Sequence, residues 1–203
     1  KIAFAFVATH NHFVLDRGGK VFKQTSPMIK LPAGTSEDEH LGLLGLLNSS
    51  VACFWLKQVC FNKGMGEQPW ADRYEHDSGK VSELPLPSAH PIEIARSLDN
   101  LAHDIETSLP AALFHFAAEG SQPLPTRQTL DEMRDHTAGL RRLAVAWQEE
   151  LDWECYGLYG LLPPDAGELR YESGAPPEVR LGERAFALVL ARRIAAGSET
   201  TTR

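Results

Sequence analysis

Cysteine is scarce, long apolar runs are missing, and none of the common catalytic signatures is present. The three thiols, Cys53, Cys60 and Cys155, stand in apolar surroundings. So sparse a set builds no disulfide framework and favours a reducing, cytoplasmic setting. Cys53 and Cys60 are seven apart and would share a helix face, but no second ligand pair accompanies them, so buried structural thiols are expected. No apolar stretch reaches the roughly eighteen residues of a bilayer span, because Asn48-Ser49-Ser50 and Lys57-Gln58 break the longest candidate; no membrane association is expected. There is no Walker loop, no His-Glu-x-x-His and no Gly-x-Ser-x-Gly. A basic excess is missing too, since the net charge is −7.

What is there is an ordinary globular composition, with 43% hydrophobic and 23% charged residues over 203 positions. That is enough for one domain, or for a small domain with a helical extension. The chain opens Lys-Ile-Ala-Phe without an initiator methionine or a signal-peptide pattern, and reads as a piece of a longer polypeptide.

The centre of the pattern is Leu41 to Lys63, LGLLGLLNSSVACFWLKQVCFNK. Leu43, Leu44, Leu47, Val51, Phe54, Trp55, Leu56 and Val59 recur at three- and four-residue steps, which predicts one long core helix of about 35 Å. Ser36 followed by Glu39 reads as its capping box, and Lys63-Gly64 as a basic last turn with a glycine stop. The polar triplet Asn48-Ser49-Ser50 predicts a kink or a polar contact halfway along, made to backbone.

Before it, residues 2–8, 12–16 and 20–25 read as strands, with a turn at Asp16-Arg17-Gly18-Gly19 and a short strand around Met28-Ile29-Lys30-Leu31. After it, residues 64–83 read as a long loop, a form more often functional than idle. Within it Trp70 and Tyr74 suit either ligand contact or anchoring of the loop to the core. Leu84-Pro85-Leu86-Pro87 forces an extended path. A helix beginning at Pro91 carries Ile94, Ala95, Leu98, Leu101, Ala102, Ile105 and Leu109 on one face. A shorter one is expected over 111–119, then a linker over 120–125. Thr126 caps a long helix with apolar positions at Leu130, Met133, Thr137, Leu140, Ala144, Trp147 and Leu151, whose heptad-like spacing predicts an antiparallel hairpin with the preceding helix. Residues 165–184 read as loop and Ala185–Ala196 as a last helix. The expected fold is mixed α+β: a small N-terminal antiparallel sheet packed on the long central helix in residues 1–90, then a mainly helical extension over 91–203.

Three stretches carry a resemblance. They are the opening KIAFAFVATHNHFVLDRGGKVFKQTSPMIKLP, the central LLGLLNSSVACFWLKQVCFNKG closed by Leu84-Pro85-Leu86-Pro87, and WQEELDWECYGLYGL at 147–161. Together they cover about half of the chain and resemble the target-recognition region of DNA adenine-N6 methyltransferases: the TaqI-like specificity domain of bifunctional restriction–modification enzymes, and the PglX-type enzymes of BREX phage-defence systems. The resemblance implies a parent enzyme that methylates adenine in a defined sequence of double-stranded DNA with S-adenosylmethionine. Such an enzyme needs an Asn/Asp-Pro-Pro-Tyr/Phe motif for the flipped base and a glycine-rich turn for its cofactor. Neither occurs here, where the Pro-Pro pairs follow Leu162 and Ala175. The chemistry is therefore expected in a catalytic domain N-terminal to residue 1, with no catalytic residue, cofactor or metal in this part.

The residues expected to meet DNA are Lys20 and Lys23 on the first hairpin, Lys57, Asn62 and Lys63 at the end of the central helix, and Arg73 in the loop. His10 and His12, two apart, would face solvent or DNA from a strand end; with no carboxylate or cysteine at ligand spacing they make no metal site. Glu149, Glu150, Asp152 and Glu154 read as a solvated helix face. Residues 1–90 hold nine Lys/Arg, nine Asp/Glu and five of the eight histidines, so the net −7 belongs to residues 91–203. That acidic half supports a second reading, a protein–protein interaction module that docks another defence-system subunit.

Overall fold

A computed structural model describes residues 1–64, 71–112, 114, 120, 123–162, 176–180, 183 and 185–197. The fold is mixed α+β, as expected, with small antiparallel sheets and several helices. The chain divides into two units, one formed by Lys1–Arg96 with Leu151–Pro163, the other by Ser97–Glu150 with Pro164–Arg203.

The first unit has two three-stranded sheets rather than one. In the first, β1 (Ile2–Phe4) lies between β3 (Phe13–Leu15) and β4 (Met28–Ile29), with Ile2 facing Leu15 on one side and Ile29 on the other. All of β1 is buried, as its run of apolar residues demands. In the second, β6 (Arg73–Glu75) lies between β2 (Val7–Ala8) and β5 (Phe61–Gly64). The opening run 2–8 is thus split, β1 serving one sheet and β2 the other.

The strand expected over 20–25 does not form, and Val21 is 98% exposed. Gly18 and Gly19 take φ of 120° and 76°, which sends the chain away from the sheet. It returns where the Phe6 amide, just past β1, donates to Thr25 O and the Phe4 amide of β1 to Pro27 O.

The long central helix is two helices. α1 (Glu37–Asn48) begins at the expected capping box: the Glu39 amide donates to Ser36 Oγ at 3.2 Å, and the Ser36 amide to Glu39 Oε2 at 2.8 Å. α2 (Ser50–Val59) begins anew after Ser49, whose backbone is extended at φ −72° and ψ 158°. Every residue of the polar triplet is used at this break. Ser49 Oγ donates to Leu46 O and accepts from the Ala52 amide. The Asn48 amide group pairs with both backbone groups of Phe13, which lengthens the first sheet by one side chain. Asn11 Nδ2 donates to Leu47 O and Ser49 O, closing the end of α1.

The break also resets the helical phase. Leu41, Leu44, Leu46, Leu47, Ala52 and Leu56 join Ile2, Phe4 and Phe13 in the interior, whereas Phe54, expected on the core face, is 69% exposed. After α2 the chain turns straight into β5, so Asn62 and Lys63 lie in a strand and Cys60 is the residue that ends the helix. Much of the expected loop is ordered: besides β6 it contains α3 (Ser78–Ser82), capped by Asp77. Trp70 lies outside the described residues.

α4 (Ile92–Thr107) starts just after Pro91, and α5 (Arg127–Leu158) runs uninterrupted for 32 residues from its Thr126 cap. The last described helix is α6 (Ala185–Ala195). In the second unit, Thr137 Oγ1 donates to Ser108 O at 3.0 Å, Ala146 packs with Val179 and Leu188, and Arg142 pairs with Glu178 at 2.6 Å. Most of 111–119 and of 165–184 lies outside the described residues. The acidic run near the end of α5 is not a solvated face, since Glu150 is buried and Asp152 serves the start of α2.

Residues 151–159 complete the first unit. Asp152 Oδ1 accepts from the Ser50 amide at 2.7 Å, which sets a carboxylate on the positive end of α2. Ser50 Oγ and Tyr156 Oη are 2.8 Å apart, and Tyr159 Oη donates to Pro85 O. Burial pushes the Cys155 thiol from 9.0 up to about 12, against the lowering effect of Ser49, and the Tyr159 phenol from 10.0 up to about 12. Both groups stay neutral in the fold while the unfolded chain ionises first. Their contribution to stability is therefore intact below pH 9 and is lost as the pH rises toward 12. Urea midpoints are expected to fall between pH 9 and 11, less steeply in Tyr159→Phe; a flat profile would overturn the assignment.

Candidate nucleic-acid interface

The second sheet collects most of the residues of interest. In β6, Tyr74 faces Ala8 on one neighbour and Asn62 on the other, while Glu75 faces Val7 and Phe61. Side chains alternate along a strand, so Tyr74 and Glu75 serve opposite faces. On the Glu75 face, Lys63 Nζ pairs with Glu75 Oε2 at 2.6 Å between the exposed Val7 and Phe61. On the Tyr74 face, Lys57 of α2 lies over the tyrosine ring, its Nζ 5.6 Å from the centroid.

The ladder continues one residue past β6, where the His76 amide donates to Phe6 O at 2.7 Å. His76 therefore shares the Tyr74 face. It is 1% exposed; its Nδ1 lies 3.3 Å from Ala5 O, and its Nε2 has no hydrogen-bond partner among the described residues. His10 and His12 stack on each other with centroids 4.0 Å apart, and both are exposed. The His10 ring nitrogen Nδ1 meets Thr9 Oγ1 at 2.8 Å. Burial lowers the affinity of His10 and of His76 for a proton, and the neighbouring His12 and Lys57 lower both further. Ala5 ties two of these histidines together, since its amide donates to His12 O at 3.3 Å and its carbonyl oxygen lies against His76 Nδ1.

The six residues expected to meet DNA are thus not one patch. Lys20 and Lys23 stand exposed on the irregular limb that leads to Thr25. Asn62 is engaged within the sheet, donating to Asp72 Oδ2 at 2.8 Å and accepting from the Gly64 amide at 2.7 Å. Lys63 is paired with Glu75 on one face, and Lys57 lies on the other. Arg73 is exposed at the start of β6. The residue that sequence reasoning passed over is His76. The signal was there in Tyr74-Glu75-His76, an alternation of the same period as His10-Asn11-His12, but it lay inside what read as a loop.

Fold and site together define a mixed α+β region with a histidine- and lysine-bearing sheet face, and with no cluster of metal-ligating side chains among the described residues. The chain is 48% identical, over 208 aligned residues and 96% of its length, to the adenine-specific methyltransferase PglX of Streptomyces coelicolor. It spans 16% of that protein. A family described as a domain of unknown function, DUF7008, matches residues 144–203. No solved structure matches. No helix among the described residues is long and apolar enough to cross a membrane.

Proposed function

We propose that this chain is the DNA target-recognition region of a site-specific adenine-N6 methyltransferase acting in phage defence or restriction–modification. The observation that carries the reading is the 48% identity to PglX across nearly the whole chain. Lys57, Lys20, Lys23 and Arg73 are the cations offered for phosphates; the exposed Phe61 and the half-buried Tyr74 are the rings offered for stacking. Methyl transfer from S-adenosylmethionine belongs on this reading to a catalytic domain earlier in the same polypeptide, since the chain carries no Asn/Asp-Pro-Pro-Tyr/Phe motif. The region by itself binds duplex DNA and transfers nothing.

The test is an exchange of this region between two full-length enzymes with different target sequences, followed by mapping of methylated adenines. The methylated sequence is expected to travel with the exchanged region. Unchanged target sites would overturn the reading. If the exchange instead broke association with another defence-system protein and left the sites intact, the region would be a docking module.

A further inference from the structure

We propose that His10, His12 and Lys57, set around the buried His76, form a binding site for a phosphate group, which on the reading above is a phosphodiester of the recognised duplex. Four basic side chains from three separate stretches come together around Ala5 and β6: the Ala5 amide donates to His12 O at 3.3 Å, Ala5 O lies 3.3 Å from His76 Nδ1, His10 stacks on His12, and Lys57 lies over Tyr74 on the face that His76 shares. His10 and His12 follow β2, Lys57 comes from α2, and His76 extends β6. Among the described residues, no acidic group is among the charges that bear on His10 and His76; those charges are His12, Lys57 and, for His76, His10 as well. The carboxylates of the neighbouring strands are each engaged: Glu75 pairs with Lys63 on the opposite face, Asp77 caps α3, and Asp72, on the Tyr74 side of the alternation, accepts from Asn62. Arg73, also of β6, is on the Glu75 side of the strand alternation.

Such a grouping repels itself when protonated and is relieved by an anion. The second, independent sign is His76, whose Nε2 is buried with no hydrogen-bond partner among the described residues. Buried polar atoms are almost always hydrogen-bonded, and a phosphate oxygen is an acceptor for a protonated imidazole. Lys57 lies over the Tyr74 ring, and His10 and His76, whose proton affinity burial lowers, add charge as the pH falls. Bound phosphate favours the imidazolium forms, so phosphate affinity should rise as pH drops from 8 to 6.

The test is an NMR titration of the histidine ring resonances with dimethyl phosphate, a phosphodiester whose charge is the same at both values, at pH 6 and pH 8, alongside anisotropy with a short duplex. Saturable shifts at His10, His12 and His76 are expected at pH 6. Binding should be about tenfold weaker at pH 8, and about tenfold weaker in Lys57→Gln. His10→Gln with His12→Gln, both at exposed positions, should flatten the pH dependence while the His76 resonance reports that the fold is intact. Absence of saturable shifts at these rings, with duplex binding retained, would overturn the phosphate site and leave the target-recognition reading standing. Shifts with dimethyl phosphate but no duplex binding at either pH would keep the site for a small phosphate ester and remove its assignment to DNA.

Discussion

Replacing Gly45 with valine is expected to lower the stability of the first unit by about 3 kcal/mol, seen as a lower urea midpoint with an unchanged slope. A glycine in mid-helix ordinarily costs about 1 kcal/mol relative to alanine, so any side chain would help α1 if there were room. There is none. A Cβ at Gly45 would stand 3.0 Å from both Ala95 Cβ and Pro91 Cγ, and 3.3 Å from Leu151 Cδ1. The proline ring is rigid and Ala95 is anchored in α4, so neither yields as the end of a flexible chain would. The two further methyl groups of valine have nowhere to go. Gly157→Ala on α5 is the control: nothing among the described residues lies within 4 Å of its Cβ position, and that variant should gain up to about 1 kcal/mol from helix propensity alone. Equal stability of Gly45→Val and the parent would mean that α1 does not pack this closely.

The second large effect is expected for Leu151→Ala, at about 2–5 kcal/mol. Leu151 is fully buried, and the next residue holds the Ser50 amide through its carboxylate. Loss of the side chain leaves a cavity against Gly45 and slackens the segment that carries Asp152, Cys155 and Tyr156. Hydrogen exchange should show it as reduced protection of the α1 and α2 amides, by the same free energy as the global loss. Unchanged protection there, with loss confined to α5, would show that residues 151–158 are not part of the core that the central helices share.

Asn48-Ser49-Ser50 shows how much of this was legible. The triplet marked an interruption, and its preference for backbone contact followed from side chains that compete with helical bonding. The capping box at Ser36 and Glu39, the turn at Gly18-Gly19 and the cap at Thr126 were legible for the same reason: each is a local arrangement with its partner within a few residues. The interruption was not legible as a full break. The decision to stop α1 and restart α2 depends on Asn11, Phe13 and Asp152, which lie 35 to 102 residues away from their partners along the chain. The sequence pattern puts Phe54 on the core face only if one continuous phase runs through Ser49.

The candidate site followed the same division. In the sequence Lys20, Lys23, Lys57, Asn62, Lys63 and Arg73 group as basic and amide side chains at the ends of elements within the first ninety residues. Strand pairing put Lys63 with Glu75 on one face and Lys57 over Tyr74 on the other. A shift of one residue in a strand exchanges its faces, and composition says nothing about that register. The mixed α+β class, the helix caps, the turns and the lack of a catalytic motif were determined by the sequence alone, because they rest on periodicity and on neighbours. The division of the opening run between two sheets, the return of residues 151–163 to the first unit and the meeting of His10, His12, Lys57 and His76 were decided by tertiary structure. Each of these needs groups far apart in the chain to share one face, and only the packed chain specifies which face that is.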